Sequence, residues 1–126
     1  MGWANPEQIR TTIREIRKRW PELHIGLHLH DTRGMGIANV YAALMEGIDD
    51  FDTAIGGLGG CPFAGFSGAA GNVCTEDVLQ LCSEIGIETG IDINAMIACA
   101  RMAEEIVGYP LPGRLKNTSG PINPKN

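Results

Sequence analysis

The sequence has few aromatic residues, no long apolar run and no excess of positive charge. Phe, Trp and Tyr make up 6% of its 126 residues, and no stretch approaches the ~18 consecutive apolar residues that span a membrane. Lysine and arginine number 10 against 15 for aspartate and glutamate, which gives a net charge of −5. This balance argues against nucleic acid or a membrane surface as a partner.

Paired cysteine spacings are also missing. The four cysteines lack the short paired spacing of a zinc knuckle, and the chain is not a small, loop-rich disulfide scaffold. We therefore predict reduced thiols and, because the first residues form no signal-peptide pattern, a cytoplasmic location. Cys82 and Cys99 fall on helix faces and are predicted to be core residues, whereas the environment of Cys74 is left open.

Hydrophobic residues make up 44% of the chain and charged residues 20%, which is typical of one globular domain. The apolar periodicity predicts, in order, a helix, a strand over residues 24–30, a helix, a strand over residues 50–55, a long loop and two helices. Because a helix separates two short apolar strands, we expect parallel pairing through a right-handed crossover. The predicted fold class is α/β.

Capping patterns mark the helix limits. Asn5-Pro6-Glu7-Gln8 predicts a helix start with a capping box, and Thr75 and Asp92 are predicted caps of the last two helices. Half of the ten basic residues lie in the first twenty positions and are predicted to form a solvated helix face, with contact to an anionic ligand as the alternative. Four prolines in residues 109–126 predict an irregular tail.

The first chemical motif is His28-Leu29-His30-Asp31, at the end of the first predicted strand. Side chains two apart in a strand point to one face, so the two imidazoles can converge on a single ion. We predict that His28 and His30 are metal ligands rather than satisfied core residues, and that Asp31 orients one of the rings. Oxygen ligands beside them would favour Mg²⁺ or Mn²⁺, and a thiolate would favour Zn²⁺.

The second motif is a glycine-rich stretch after the other predicted strand, with seven glycines in residues 56–71. Such a density is unfavourable in helices and strands, so we expect a loop shaped by its backbone. Cys61 lies within it and is a candidate nucleophile or acid–base group. Asn72 follows it and is either a metal ligand, through its amide oxygen, or a helix cap or turn residue. No lysine followed by serine or threonine completes a P-loop.

Together, HLHDTRG, AIGGLGGCPFA and SGAAGN followed by TED resemble the hydroxymethylglutaryl-CoA lyase family over about residues 1–108. The resemblance implies a metal-dependent (β/α)₈ barrel in which His28, His30 and Asn72 bind Mg²⁺ or Mn²⁺ and Cys61 and His28 are catalytic. It implies cleavage of an acyl-CoA, hydroxymethylglutaryl-CoA or a close analogue, to acetoacetate and acetyl-CoA. Related synthases carry an acidic and basic pair where this sequence has Gly-Cys-Pro, which favours a lyase.

The sequence departs from this family in length. A (β/α)₈ barrel has eight strands in ~250 residues, and this chain resembles only the last two strands with their flanking helices. We therefore expect residues 1–108 to be the carboxyl-terminal part of a lyase barrel that lacks full activity alone and that pairs with the missing part or forms a homo-oligomer. The alternatives are a lyase or aldolase for another acyl-CoA, and a non-catalytic half-barrel that binds metal or CoA and pairs with a full-length subunit.

Overall fold

A computed structural model describes residues 2–60 and 71–118 of the chain. The helices are α1 (Pro6–Arg19), α2 (Gly36–Met45), α3 (Thr75–Glu84) and α4 (Ile93–Val107), the strands are β1 (Gly26–His28) and β2 (Asp50–Asp52), and 3₁₀ turns cover Ile55–Gly57 and Leu115–Asn117. The two strands pair in parallel, with α2 as the crossover between them. This arrangement confirms the α/β class.

Local capping explains where α1 begins. The backbone N–H of Gln8 donates to Asn5 Oδ1 at 2.9 Å, and the Gln8 side chain accepts from the backbone N–H of Asn5 at 3.0 Å. Pro6 occupies the first turn, where its missing N–H costs no hydrogen bond. The predicted capping box is confirmed, as is the cap of α4, where Asp92 Oδ1 accepts from the backbone N–H groups of Asn94 and Ala95.

The core lies between the sheet and the helices that pack beside it. One buried cluster joins β1, α2 and α3 and contains Leu29, Val40, Val73, Val78 and Cys82. A second joins α1 to α2 and contains Ile13, Ala43 and Ile48. At the carboxyl end of β1, Leu29 belongs to the first cluster, whereas His28 beside it is exposed.

Both strands are shorter than the sequence predicts. Residues 24–30 contain only the three-residue β1, and residues 50–55 contain only the three-residue β2 before the first 3₁₀ turn. The reason is a change of partner. Beyond His28 the chain pairs with residues 71–73, because the N–H of Val73 donates to Leu29 O at 3.0 Å and that of Asp31 donates to Gly71 O at 3.2 Å.

Two further predictions on the helices were wrong. The N-cap of α3 is Cys74, whereas Thr75 lies in the first turn and its hydroxyl donates to Thr53 Oγ1 at 2.8 Å. Cys99 is exposed because α4 buries the face that carries Ile97 and Ala100. Cys82 is buried, as predicted.

Residues 109–118 follow α4 with no regular structure other than the second 3₁₀ turn, yet they pack on the domain. The Asp77 carboxylate accepts from the backbone N–H groups of Arg114 and Leu115, and Leu111 and Leu115 are buried. Lys116 is only 2% exposed in its side chain and forms an ion pair with Glu104. A domain boundary at residue 108 stays a prediction, and residues 119–126 lie outside the described residues.

The basic cluster of α1 contributes to helix packing rather than only to a solvated face. Arg10 Nε and Arg14 Nε both donate to the Glu46 carboxylate at 2.9 Å, and Arg17 donates to the carbonyl oxygens of Glu46 and Gly47. Glu46 and Gly47 follow the last turn of α2, where backbone carbonyls are left without helical partners. The cations of α1 therefore cap the carboxyl end of α2.

This contact predicts a pH dependence of stability. Hydrogen bonds from Arg14 and then Arg10 lower the pKa of Glu46 from 4.5 to about 2. Because the pKa is lower in the folded state, the contribution is complete above about pH 4.5 and is lost as the pH falls toward 2. Glu46→Gln is expected to flatten the dependence of the unfolding free energy on pH in this window, measured by urea denaturation. Glu15→Gln, on the exposed face of α1, is the control, and equal slopes in Glu46→Gln and the wild type would contradict the assignment.

Candidate metal centre

The two histidines of the first motif meet at the carboxyl end of β1. His28 is the last residue of the strand and His30 follows it on the same face, so their rings stand edge to face with centroids 5.1 Å apart and planes at 70°. The Nε2 atoms of the two rings lie 3.2 Å apart. The structure therefore brings together the pair that the spacing predicted.

This separation fits a shared metal ion. Two ligand nitrogens at right angles around an ion, each about 2.1 Å from it, would lie about 3.0 Å apart. The observed 3.2 Å between His28 Nε2 and His30 Nε2 differs from that by a few tenths of an ångström. Little movement of either ring would be needed to hold a cation between them.

The backbone of Asn72 lies next to that of His30. Residues 71–73 enter between the ends of the two strands, with an antiparallel bridge from Asn72 to His30 and a parallel bridge from Cys74 to Ala54. Asn72 does not cap α3, since Cys74 holds the N-cap position. The cap interpretation of Asn72 is therefore wrong, and its place at the sheet end is compatible with the ligand interpretation.

Close backbone contact at Gly71 fixes this segment. A Cβ atom added to Gly71 would lie 2.1 Å from Gly59 O and 2.7 Å from Gly57 O, far inside van der Waals contact. The two ends of the glycine-rich stretch, Gly57 to Gly59 and Gly71, therefore lie in close contact next to Asn72. Only glycine fits at position 71.

The carboxylate beside the histidines comes from Asp52, which the sequence reasoning did not single out. Asp52 pairs with His28 across the sheet, and its Oδ2 lies 3.2 Å from His28 Nδ1. Asp31, the predicted orienting residue, instead accepts from the N–H of Gly36 at 2.6 Å at the start of α2. The signal for Asp52 in the sequence is the alternation in Asp50-Phe51-Asp52, which places both aspartates on one face of β2. Gly26-Leu27-His28 of β1 alternates in the same phase, so His28 and Asp52 share that face.

Glu76 is a second polar residue that the sequence reasoning missed. It is completely buried, and its Oε2 accepts from the N–H of Gly56 at 3.0 Å. Gly56 has a φ of +62° inside the 3₁₀ turn, so this carboxylate holds the turn that follows β2. Burial and then a hydrogen bond with Glu76 raise the pKa of the neighbouring Cys74 thiol far above its ordinary value, which leaves Cys74 a neutral core residue.

Cys61 and residues 62–70 lie outside the described residues, so its predicted role is untested by the geometry. Within residues 2–60 and 71–118, no group of three or more His, Cys, Asp or Glu side chains is placed to hold a metal. The described site thus supplies two imidazoles and the neighbouring asparagine. In the same part of the chain, no helix has both the length and the apolar character needed to cross a bilayer.

Comparison with known proteins identifies the family to which these features belong. The HMGL-like family model matches residues 1–103. The chain belongs to the HMGL-like family. This membership confirms the resemblance that the three sequence motifs predicted.

Two similar proteins have names that describe them as lyases for CoA thioesters. The chain is 44% identical over 124 residues to the (R)-citramalyl-CoA lyase of Chloroflexus aurantiacus, covering 98% of this chain and 38% of that protein. It is 42% identical over 114 residues to the hydroxymethylglutaryl-CoA lyase YngG of Bacillus subtilis, covering 90% and 38%. The chain therefore spans well under half the length of these relatives.

A solved structure of a lyase is also similar to this chain. The chain superimposes with a TM-score of 0.85, at 44% identity, on an HMG-CoA lyase from Acinetobacter baumannii in complex with coenzyme A and 3-methylmalate. The match covers 95% of this chain and 39% of the solved chain. The two-stranded unit described above is therefore similar to part of the fold of that longer lyase.

Proposed function

We propose that this chain is the carboxyl-terminal part of a (β/α)₈-barrel lyase that cleaves 3-hydroxy-3-methylglutaryl-CoA to acetoacetate and acetyl-CoA with Mg²⁺ or Mn²⁺. The observation that carries the proposal is the 3.2 Å approach of His28 Nε2 to His30 Nε2 at the carboxyl end of parallel strands. Barrel enzymes perform their chemistry at that end. Family membership and identities of 42–44% to named lyases support it.

The proposed site divides the roles among four residues. His28, His30 and the amide oxygen of Asn72 hold the cation, and His28 and Cys61 are the catalytic residues. A bound divalent cation supplies Lewis-acid polarisation of the substrate oxygens. The Gly71 contact with Gly57 and Gly59 keeps Asn72 against His30, so the ligands are held before substrate binds.

The reaction requires three changes at the substrate. The tertiary hydroxyl loses its proton, the adjacent carbon–carbon bond breaks to give the new carbonyl of acetoacetate, and the electron pair passes to the acetyl-CoA enolate, which then takes up a proton. We assign delivery of that proton to Cys61, whose thiol can act as a general acid. His28 contributes as a ligand of the cation, which would make the tertiary hydroxyl more acidic so that its proton could pass to solvent water.

The described surface supports the view that the chain is one part of a barrel. An apolar groove runs along α1 and β1 and is lined by Trp3, Ile9, Ile16, Ile25 and Leu27. Trp3 is 67% exposed, which is unusual for so large an apolar side chain. A preceding strand and helix of the barrel, or of a partner subunit, would cover this groove.

(R)-Citramalyl-CoA is the second candidate substrate. The relative at 44% identity is named as a lyase for it, and both substrates are CoA thioesters with a tertiary hydroxyl. A cation held by His28 and His30 would serve either.

A chimera tests the proposal, made by replacing the matching segment of the Bacillus subtilis lyase with this chain. We expect the chimera to cleave hydroxymethylglutaryl-CoA, or (R)-citramalyl-CoA if that is the substrate. Cys61→Ala should lower kcat by about 10²-fold, within the range of general acid catalysis, while Mn²⁺ affinity stays unchanged. The matched control is Cys99→Ala, because Cys99 is an exposed thiol on α4. Full activity in Cys61→Ala would contradict the catalytic assignment of Cys61, and absence of cleavage by the unmutated chimera would favour a metal- or CoA-binding half-barrel.

A further inference from the structure

The described sheet carries two histidine–aspartate pairs on one face, and they differ in the ring nitrogen that is used. At the carboxyl end, His28 presents Nδ1 to Asp52 Oδ2 at 3.2 Å. Near the start of the strands, His24 presents Nε2 to Asp50 Oδ2 at 2.8 Å. The two carboxylates lie two residues apart on β2 and therefore point to the same side of the sheet.

The contact of Asp52 with His28 follows from the strand register. His28 and Asp52 are opposed across the parallel pair, so their Cβ atoms are neighbours whatever rotamers they adopt. An ionised carboxylate is only an acceptor. In a neutral His28 ring, Nδ1 is then the protonated nitrogen that donates to Asp52, and the lone pair lies on Nε2.

That choice decides whether His28 can bind a cation. A neutral imidazole has one protonated and one unprotonated nitrogen, and only the unprotonated nitrogen can be a ligand. His28 Nε2 is the atom that faces His30 Nε2 at 3.2 Å. If the proton were on His28 Nε2, it would point into the space that the ion would fill.

We propose that Asp52 is a positioning residue that selects the Nδ1–H form of His28 and thereby makes Nε2 the metal-binding atom. The inference rests on the proposed metal site for its purpose, but the proton position itself exists in the metal-free chain. Carboxylates bonded to the second nitrogen of a ligating imidazole raise metal affinity by 10–100-fold in general. Asp52 would contribute in this way.

The first test locates the protons on the three histidine rings of the metal-free chain by imidazole ¹⁵N NMR. We expect the Nδ1–H form for His28 and the Nε2–H form for His24. In Asp52→Asn the side-chain amide can donate to Nδ1, so His28 should change to the Nε2–H form while His24 stays unchanged. Asp50→Asn is the matched control, because it removes the equivalent carboxylate from His24 only.

The second test is a Mn²⁺ titration followed by paramagnetic broadening of the ring resonances. Asp52→Asn should weaken binding at His28 and His30 by about 10-fold to 100-fold, Asp52→Glu should recover part of it, and Asp50→Asn should not change it. An Nε2–H form of His28 in the wild type, or an unchanged form in Asp52→Asn, would overturn the role of Asp52. Absence of Mn²⁺ broadening in the wild type alongside the expected proton positions would overturn the proposed metal site instead.

Discussion

Replacing His28 or His30 by alanine in the chimera with the Bacillus subtilis lyase is expected to lower Mn²⁺ affinity by at least about 10³-fold. The expected loss exceeds the 10–100-fold of an outer partner because a ligand itself is removed. Both Nε2 atoms face one position, with 3.2 Å between them. Isothermal titration calorimetry on metal-stripped protein measures the change.

His24 provides the control for this experiment. It lies on the same side of the sheet as His28, but its ring is bound to Asp50 at the other end of the strands. His24→Ala should leave Mn²⁺ affinity unchanged. Equal affinities in His28→Ala and the wild type would exclude the pair as ligands.

Gly71→Ala is expected to lower the free energy of unfolding by about 3 kcal/mol, the upper end of the cost of overpacking. The added methyl group would lie 2.1 Å from Gly59 O and 2.7 Å from Gly57 O. Both atoms belong to the backbone and cannot turn aside as a flexible side chain could. The bridge between Asn72 and His30 should open, so Mn²⁺ affinity should fall together with stability.

The control for Gly71→Ala is Gly60→Ala. No described atom lies within 4 Å of a Cβ added to Gly60, so its unfolding free energy should change by less than about 0.5 kcal/mol. Urea denaturation followed by circular dichroism compares the two variants. Similar stability in both would show that the backbone at the end of the glycine-rich stretch moves aside at little cost.

Local chemistry explains which parts of the fold could be predicted from the sequence. The capping box of Asn5 and Gln8 and the cap at Asp92 depend on residues within one helical turn, and both were confirmed. The convergence of His28 and His30 depends only on the two-residue period of a strand. These features require no knowledge of the remaining chain.

The features that sequence reasoning missed depend on contacts between distant segments. Asp52 reaches His28 through the register of two strands, and Asp31 binds the start of α2 rather than a ring. Residues 71–73 shorten both strands because they compete for the same backbone groups. Cys99 is exposed because packing, not its apolar character, decides which face of α4 is buried.

The decisive experiment for the proposed metal site is the cleavage assay on the chimera, first with metal-stripped protein and then with Mg²⁺ or Mn²⁺ restored. We expect hydroxymethylglutaryl-CoA or (R)-citramalyl-CoA to be cleaved only when a divalent cation is present. We also expect His28→Ala to abolish the reaction and His24→Ala to leave it intact. Cleavage that persists without a divalent cation, or in His28→Ala, would contradict a metal-dependent lyase site at the carboxyl end of β1.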